Sequence, residues 1–463
     1  MGPATATVEG VRRLVEAGMD VARLNFSHGT HDEHAKAYAL IRDASDASGH
    51  AVAILADLQG PKIRLGKFAD GPVEWKKGET VTITTRSVEG THDRVSTTYT
   101  RLAEETSVGN RLLIDDGRIE LEVVEVEGHE IHCQVIEGGV VSDAKGISLP
   151  EADVRTSPMS PKDRNDLRYA LELGVDLVAL SFVRSPDDVK LVHELMEKAG
   201  RRVPVLAKIE KPQAVACLDA IIEAFDGLMI ARGDLGVEMP LEEVPLVQKR
   251  AVQRCRDRAK PVIVATQMLD SMIQSPRPTR AEASDVANAV LDGADALMLS
   301  GETSVGAFPI ESVETMARII MAIEGSDRHA PSLDHEPRTR SGAIAAAAVR
   351  IGETLHVKAV VAFTQTGDTA RRLARHHPSL PILAFTPEPE VRSQLALSWG
   401  VETFLVPPVR QTDEMVRTVE GALLDIGRFE VGESVLIVAG SPPGVAGSTN
   451  ALRVHRLGAV ITA

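Results

Sequence analysis

The sequence has few cysteines, no long hydrophobic run and a deficit of positive charge. Its three cysteines, Cys133, Cys217 and Cys255, are odd in number, far apart and not in metal-ligand spacing. We therefore expect reduced thiols in a cytoplasmic protein. No apolar run approaches the roughly 20 residues of a membrane-spanning helix, and residues 1–10 lack the basic end and apolar core of a secretion signal. These absences predict a soluble intracellular protein that does not enter a membrane.

The charge balance excludes some partners. Lys and Arg number 51 against 66 Asp and Glu, so the formal net charge is −15, which as a whole repels nucleic acid and anionic membranes. Any phosphate site must therefore be a local concentration of basic residues. The 463 residues predict two to four domains, on a prior of about 100 to 200 residues per domain.

Seven short apolar runs predict the strands of a parallel sheet. Most are followed by an amphipathic segment of helical length, which is the βαβ pattern. The runs are continuous in apolar residues, as in strands covered on both faces. They occupy residues 19–27, 51–60, 175–182, 203–210, 226–234, 260–267 and 295–302.

Polar residues that can bind or transfer charge stand at the ends of these runs. They are Arg23 and Asn25, Asp57, Lys208 and Glu210, Arg232 and Asp234, Thr266, and Ser300 and Glu302. In a (βα)8 barrel, the C-terminal rim of the strands is where an active site is assembled, whereas chance would scatter polar residues to both ends. The pattern predicts an α/β protein built on a TIM barrel.

Such a barrel needs an eighth strand, and the sequence does not supply one. The helix-like residues 8–17 begin so close to Met1 that no strand fits before them. We expect the first barrel strand to be missing, through a start placed too late or a truncated chain, because an open barrel exposes a strand edge and part of its core.

Two further domains are predicted from changes of pattern. Short alternating strands with Gly turns fill residues 62–157, which predicts an inserted small β-barrel placed to close over the site as a lid. A Pro-rich, charged linker covers 328–341, and alternating strands and helices follow it. The predicted domains are the barrel (1–61 and 158–331), the lid (62–157) and a C-terminal α/β domain (332–463).

The segment KIEKP carries the clearest chemistry. Lys208 and Glu210 lie two apart at a strand end, so both side chains point into the barrel mouth, and Asp234 ends the adjacent strand. Two carboxylates suit Mg²⁺, and Lys208 can neutralise a transferring phosphoryl group and an enolate oxygen. The alternative is a Lys–Glu ion pair that closes the barrel.

Two other segments suggest anion binding. RGDLG can begin a short helix whose N–H groups at Gly233 and Asp234 bind a substrate carboxylate, or it can be a simple turn. Single arginines are usually surface charges, but basic and polar groups gathered beside strand ends can clamp phosphate oxygens. These groups are Arg23, Asn25, Ser27, His28 and Arg64.

The segments RLNFSHG, GPKIR, KIEKP, ARGDLGVE, ATQMLDSM and RPTRAEASDVANAVLDGADALMLSGETSVG resemble pyruvate kinase sequences, and the resemblance covers essentially the whole chain. It implies transfer of the phosphoryl group of phosphoenolpyruvate to ADP, giving pyruvate and ATP, with Mg²⁺ or Mn²⁺. It also implies a homotetramer with a phosphorylated allosteric effector.

The resemblance assigns roles to individual residues. It implies that Glu210 and Asp234 bind the divalent metal, Lys208 stabilises the phosphoryl group and the enolate, and Arg23 holds the phosphoryl group. The substrate carboxylate would be held by Thr266 with the amides of Gly233 and Asp234, and proton delivery would involve Ser300 and Glu302. The nucleotide would be faced by His28, Arg64, Lys162 and Asn25.

One departure from the family concerns K⁺. Many members have Glu where this chain has Lys62, with Thr where it has Leu58, and those members need K⁺. Asn25, Ser27 and Asp57 match the family's monovalent-cation ligands. Because the Lys62 ammonium can supply the positive charge, we expect that K⁺ is not required.

The C-terminal segment FTQTGDTARRLA resembles the family's effector-phosphate loop, with Thr364, Thr366, Gly367 and Thr369 at a helix N-terminus. Asp368 occupies a place where a basic residue would help, and the loop SPPGVAGSTN lacks the Arg and Trp that some members use for fructose 1,6-bisphosphate. Another sugar phosphate or a nucleotide is therefore favoured. An ordinary capping turn is the alternative.

Two rival functions are considered. A metal-dependent lyase or mutase acting on a keto-acid enolate would need the same barrel, Lys and carboxylates, but no nucleotide. A folded, inactive binding protein would bind an effector without turnover. The nucleotide-facing residues argue against the first rival, and the intact set of site residues argues against the second.

Overall fold

The computed structural model describes residues 1–459 except 151–156, 327–329, 332 and 334–336. The apolar runs form most of the strands, whose bounds in chain order are β1 Val21–Asn25, β2 Ala53–Asp57, β3 Val73–Trp75, β4 Thr80–Thr84, β5 Arg94–Ser96, β6 Arg111–Ile114, β7 Ile119–Glu127, β8 Glu130–Glu137, β9 Gly139–Val141, β10 Ile147–Ser148, β11 Leu177–Leu180, β12 Val205–Ile209, β13 Gly227–Ala231, β14 Val262–Ala265, β15 Ala296–Met298, β16 Val360–Phe363, β17 Ile382–Thr386, β18 Val401–Leu405, β19 Ser434–Gly440 and β20 Thr449–Arg456.

Several helices begin where the sequence supplies a side-chain cap. Thr30, Ser160 and Thr279 each form a capping box, in which the side chain of the N-cap and that of the third helical residue satisfy each other's backbone N–H groups. The α-helices are α1 Val8–Glu16, α2 His31–Ser48, α3 Leu102–Glu105, α4 Pro161–Leu173, α5 Asp188–Ala199, α6 Pro212–Ala216, α7 Leu218–Ala224, α8 Arg232–Glu238, α9 Val244–Asp257, α10 Arg280–Asp292, α11 Gly301–Ser304, α12 Pro309–Glu324, α13 Arg340–Thr354, α14 Asp368–Ala374, α15 Pro389–Gln394 and α16 Thr412–Asp425.

The predicted barrel strands form one parallel sheet in the order β1-β2-β11-β12-β13-β14-β15. Its register places Asn25 opposite Asp57, so polar ends of neighbouring strands lie at one level. The inward-facing side chains, among them Leu55, Leu206 and Met229, form a buried cluster, and Leu397 from the C-terminal part of the chain belongs to the same cluster. The fold class predicted from the apolar runs is confirmed.

The seven-stranded sheet has β1 and β15 as its edges. A cavity of about 560 Å³ borders both edge strands, and its lining includes Val21, Met298 and Trp399. Among the described residues, β1 and β15 therefore do not pair with each other to close the sheet.

Residues inserted after β2 form a separate β structure. A six-stranded sheet in the order β10-β6-β7-β8-β4-β5 and a small sheet of β3 and β9 enclose their own apolar core, which includes Trp75, Ile83 and Leu121. This insertion returns to the barrel through residues that include 151–156, outside the described part of the chain.

A five-stranded sheet in the order β18-β17-β16-β19-β20 organises the C-terminal part. Its first four strands are parallel and fit the predicted alternation of strands and helices, whereas β20 pairs antiparallel with β19 and was not predicted. The sheet contacts the barrel, since the N–H of Trp399 donates to Asp295 Oδ1 at 3.0 Å. The predicted linker 328–341 and the boundary at Ser332 fall partly outside the described residues, and the domain limits stay a prediction.

The three cysteines are free thiols, with Cys133 and Cys255 buried. Within the described residues, no helix combines the length and the apolar character needed to cross a membrane.

Candidate active site at the strand ends of the barrel

Lys208 lies at the centre of a buried charge cluster. The residue is 9% exposed, and its Nζ lies 2.8 Å from Glu210 Oε1 and 3.4 Å from Asp57 Oδ1. It also donates a hydrogen bond to Ser181 Oγ at 2.8 Å. Burial alone would lower the pKa of Lys208, but the carboxylates of Asp57 and Glu210 outweigh it and hold the pKa above its ordinary value. Lys208 is therefore a fixed positive charge in a region shielded from water.

Arg23 completes the cluster from the neighbouring strand. Its Nε lies 2.6 Å from Asp57 Oδ2, while Asp57 is almost fully buried. Burial would raise the pKa of Asp57, yet the cations Lys208 and Arg23 hold it below its ordinary value. Asp57 is consequently a permanent anion that positions two cations at the strand ends.

Glu210 is short of positive charge. It is fully buried, its Oε2 accepts the N–H of Phe182 at 2.7 Å, and its Oε1 has no hydrogen-bond donor beyond the ion pair with Lys208. Burial raises the pKa of Glu210, Lys208 opposes the rise, and the carboxylate of Asp234 adds to it. A divalent cation between Glu210 and Asp234 would supply the missing charge, so these two residues fit an Mg²⁺ or Mn²⁺ ion.

The metal hypothesis involves two carboxylates and no more. Among the residues that the structure describes, no group of three His, Cys, Asp or Glu side chains is arranged to hold a metal. Mg²⁺ usually binds one or two carboxylates and completes its coordination with water and substrate oxygens. The donor set is typical of a metal that is shared with a substrate.

Backbone geometry at Phe182 places the donor for Glu210. Phe182 has a φ of +55°, a region that bulky residues rarely adopt. Gly60, at φ +77°, lies so close that a Cβ there would be 2.7 Å from the Phe182 ring and 2.9 Å from Ser181. Glycine is required at position 60 because only its backbone fits against this turn.

Thr266 also has an unusual backbone, with φ +70°, followed by Gln267 at +54°. Its hydroxyl accepts the N–H of Gly233 at 2.7 Å and donates to the carbonyl of Ala265 at 2.6 Å. The sequence predicted a free Gly233 N–H at the start of a short helix. The helix α8 is present, but in this structure that N–H donates to Thr266 rather than pointing at an open site.

Ser300 and Glu302 lie together at the end of the last barrel strand. Glu302 is 2% exposed, and its two oxygens accept the N–H groups of Ser300 at 2.7 Å and Leu269 at 3.2 Å. The Ser300 Oγ is buried and has no hydrogen-bond partner among the described residues. A buried hydroxyl of this kind is free to bond a ligand or an ordered water.

The residues predicted to face the nucleotide are more dispersed. His28 is exposed on the loop after β1, and Lys162 lies near it, donating to the Phe26 carbonyl at 2.6 Å and pairing with Asp166 at 2.5 Å. Arg64 belongs to the inserted β structure, where its Nη1 donates to the Ala144 carbonyl at 2.9 Å. The structure thus brings His28 and Lys162 close to the same loop, with Arg64 on the facing body.

Lys62 lines a cleft between the inserted β structure and the barrel. The other lining residues include Arg184, Lys211 and Asp234 from the barrel. The Lys62 Nζ lies 3.7 Å from Asp116 Oδ1 in the β structure. If the insertion closes over the barrel, the distance between Lys62 and the Asp234 carboxylate in the same cleft would therefore change.

The predicted monovalent-cation residues adjoin one another. Asn25 and Asp57 are register partners, and the Asn25 Oδ1 accepts the N–H of Ser27 at 3.1 Å. Leu58 follows Asp57, is buried, and accepts the Ser181 hydroxyl at its carbonyl at 2.7 Å.

The predicted effector loop lies in the C-terminal sheet, away from the barrel mouth. Thr364 Oγ1 accepts the N–H of Gly367 at 2.9 Å, and the hydroxyls of Thr369 and Thr449 are 2.7 Å apart. Gly367 has a φ of +80° at the start of α14, while Thr366 is exposed. Two of the three threonine hydroxyls are thus engaged within the loop itself.

Sequence reasoning missed Ser181, Phe182 and Lys211. The first two end the run at residues 175–182, and the hydroxyl of Ser181 in the second-last position of that run was the available signal. Lys211 pairs with buried Glu238 and lies 5.7 Å from the centre of the Phe182 ring. Its place directly after Glu210 in KIEKP was the available signal, whereas its pairing with Glu238 was not predictable from local pattern.

A parallel barrel sheet with paired cations, buried carboxylates at its strand ends and a second body across a cleft belongs to the class of barrel enzymes that act on anionic substrates. Comparisons with known proteins give the family. Residues 1–313 match the family profile described as pyruvate kinase, barrel domain, and residues 342–455 match that described as pyruvate kinase, alpha/beta domain.

Individual relatives match this chain over nearly its whole length. The chain is 64% identical to a pyruvate kinase of Mycobacterium tuberculosis, a match over 99% of this chain and 97% of the relative. It is 60% identical to one of Corynebacterium glutamicum, over 99% and 96%. A crystal structure of a pyruvate kinase from Cryptosporidium parvum superposes with a TM-score of 0.92 at 36% identity, over 99% of this chain and 94% of the other. The chain belongs to the pyruvate kinase family.

Proposed function

We propose that this chain transfers the phosphoryl group of phosphoenolpyruvate to ADP, giving pyruvate and ATP. Membership of the pyruvate kinase family supports the reaction. The observation that carries it within the molecule is the buried Lys208, held between Asp57 and Glu210 at the strand ends.

In the proposed reaction, the bond between phosphorus and the enol oxygen breaks while a bond forms from phosphorus to a terminal oxygen of ADP. Lys208 and Arg23 neutralise negative charge on the phosphoryl oxygens, and Lys208 also faces the enolate oxygen that is left. Because these cations are fixed by ion pairs before substrate arrives, little reorganisation accompanies the transfer.

The divalent ion belongs to Glu210 and Asp234 in this proposal. When bound, Mg²⁺ or Mn²⁺ supplies positive charge to phosphate and enolate oxygens. Thr266, with the amides of Gly233 and Asp234, is proposed to orient the substrate carboxylate, which requires Thr266 to release the Gly233 N–H.

The enolate must then accept a proton at its terminal carbon to become pyruvate. Ser300 and Glu302 are proposed to belong to the group of residues that deliver it, supported by the unpartnered Ser300 hydroxyl. Nucleotide phosphates are assigned to His28, Arg64, Lys162 and Asn25. Arg64 and Lys62 come from the inserted β structure, so lid closure would complete this part of the site.

Family members generally need both Mg²⁺ and K⁺. We propose that this chain does not need K⁺, because the Lys62 ammonium supplies the positive charge that K⁺ supplies in other members. The residues that match the family's monovalent-cation position are Asn25, Ser27, Asp57 and Leu58. We also propose a homotetramer and a phosphorylated effector at Thr364, Thr366, Gly367 and Thr369.

The test is pyruvate formation from phosphoenolpyruvate with and without ADP and Mg²⁺. The proposal expects pyruvate only when both are present. Pyruvate without ADP would indicate a lyase, and effector binding without turnover would indicate an inactive binding protein.

The proposal that K⁺ is not required is tested with a variant of Lys62. We expect equal rates in K⁺-free and K⁺ buffers for the natural chain and a marked K⁺ stimulation for Lys62→Glu. Lys67→Glu, which makes the same charge change at an exposed position of the insertion, is the control and should stay insensitive. A large K⁺ stimulation of the natural chain would refute the proposal.

A further inference from the structure

A cavity of about 740 Å³ lies between the barrel and the C-terminal part, and its lining contains none of the residues predicted for the strand-end site. One wall comes from α9 and the residues after it. The facing wall comes from the start of α13 and from α14. Its volume falls in the range of small-molecule sites, which is about 300–1,000 Å³.

The lining of this cavity is strongly cationic. The α9 wall contributes Arg250, Arg254, Arg258 and Lys260, and the facing wall contributes Arg338, Arg372 and Arg375. The acidic residues of the lining are Glu223 and Asp257. Seven cations against two carboxylates are concentrated here in a chain whose net charge is −15.

Nearby acids compensate these cations only in part. Arg258 pairs with Glu223 at 2.5 Å and Arg372 pairs with Asp368 at 2.7 Å. Asp219 is shared by three arginines, at 3.9 Å from Arg250, 3.6 Å from Arg254 and 3.4 Å from Arg258. Arg338 is exposed and makes no ion pair with another described residue. Among the described residues, the cations of the lining therefore outnumber the carboxylates near them.

The start of α13 adds to this excess. Thr339 caps α13, a helix of 15 residues, and Arg372 Nη1 donates to the Thr339 hydroxyl at 3.3 Å. Arg375 Nη2 lies 3.3 Å from the position that a Cβ at Gly342, in the first turn, would occupy. Cations are unfavourable at a helix N-terminus, where anions are stabilised. An anion bound between the two guanidinium groups would offset this unfavourable placement.

Arg375 supplies a buried, incompletely bonded group. It is 7% exposed, its Nη1 donates to the Asp257 carbonyl at 3.0 Å, and its Nε has no hydrogen-bond partner. A guanidinium has five N–H donors and stays charged in proteins. Burying it with an unused donor beside another arginine costs stability unless an acceptor is present.

We propose that this cavity binds the phosphate group of a small phosphorylated metabolite. The cavity differs from the predicted effector loop, whose own pocket is lined by residues 363–366, 368, 369, 440 and 443–449 and contains no Lys or Arg among them. Because the cavity walls belong to the barrel and to the C-terminal part, a bound phosphate joins the two and stabilises their contact.

The experiment is calorimetric titration of the full chain at low ionic strength with three probes: inorganic phosphate, a hexose monophosphate and a nucleoside monophosphate. We expect saturable binding of at least one probe, weakened by added salt because surface charges are screened. Binding of inorganic phosphate supports an anion site in the cavity. If the hexose monophosphate or the nucleoside monophosphate binds more tightly than inorganic phosphate, the tighter ester identifies the class of metabolite.

The variants separate this cavity from the effector loop. Arg254→Gln with Arg338→Gln should weaken binding at least about tenfold, or roughly 1.4 kcal/mol. Arg417→Gln, an exposed arginine on α16, is the control for loss of a surface arginine and should bind as the natural chain does. Thr366→Ala probes the effector loop, and it should keep the binding that the double variant loses.

Three outcomes overturn the proposal: no probe binds, the double variant binds as tightly as the natural chain, or Thr366→Ala alone abolishes binding. Circular dichroism checks that the double variant is folded. If it is not, Arg338→Gln alone, at an exposed position, gives the deciding titration.

Discussion

The barrel mouth and the cavity between the barrel and the C-terminal part are both rich in cations, but they balance charge differently. In the mouth, Lys208 and Arg23 are matched by Asp57 and Glu210 at 2.6 to 3.4 Å, mostly out of contact with water. In the cavity, seven cations line the wall with two carboxylates, Arg258 and Arg372 have close acidic partners, and Asp219 is shared at 3.4 to 3.9 Å. A balanced cluster can accept a metal and an anionic substrate together, whereas a cluster with excess positive charge favours an anion alone.

The largest loss of stability is expected on removing the charge of Asp57, which balances the cations of the barrel mouth. Asp57→Asn leaves Lys208 and Arg23 buried without their shared carboxylate, so we expect a loss of about 3–5 kcal/mol in stability. Urea unfolding measures it. Asp20→Asn, at an exposed residue paired with His50, should change stability by less than about 1 kcal/mol. Equal effects at the two positions would contradict a balanced, buried cluster.

The same variant has a defined pH dependence. Because the folded-state pKa of Asp57 lies below its ordinary value, its stabilising contribution is fully present above the unfolded pKa and is lost as pH falls through the folded value. The stability difference between the natural chain and Asp57→Asn should therefore shrink on acidification. A difference that grows at low pH would contradict the assigned cause.

Substitution of Lys208 should give the next largest effect, which is a loss of catalytic rate. Lys208→Met removes the fixed charge that faces the phosphoryl group and the enolate, and we expect kcat to fall about a hundred- to a thousand-fold. Steady-state ATP formation measures it, with exposed Lys190→Met as the control. An unchanged kcat in Lys208→Met would remove the residue from the proposed mechanism.

Glu210→Gln tests the metal site. The amide keeps the shape of the side chain but removes its charge, so the Mg²⁺ concentration needed for half-maximal rate should rise by at least about tenfold. Glu242→Gln, at the exposed rim before α9, is the matched control. A normal Mg²⁺ requirement in Glu210→Gln would assign the ion to other residues.

The smallest effect is expected in the cavity. Removing one cation from an unbalanced cluster relieves repulsion, so Arg338→Gln should leave the melting temperature unchanged or raise it slightly, within about 1 kcal/mol. Thermal unfolding in phosphate-free buffer measures it. A large destabilisation would mean that Arg338 is already paired and that the cavity is not short of negative charge.

Much of the fold was predictable from local pattern. Continuous apolar runs of strand length predicted the seven barrel strands, because a strand buried on both faces has no polar alternation. The antiparallel strand β20 was missed because its residues, TNALRVHR, mix apolar and charged side chains at a sheet edge that is only partly buried.

The sequence by itself determined that Lys208 and Glu210 share a face and lie at a strand end with other polar groups, since side chains alternate along a strand with a fixed period. Tertiary structure alone decided that Asp57 lies between Lys208 and Arg23, that Thr266 occupies the Gly233 N–H, and that arginines of α9 face those of α14. The physical reason is that local periodicity fixes the direction of a side chain. Sheet register and packing between distant segments fix which side chains meet.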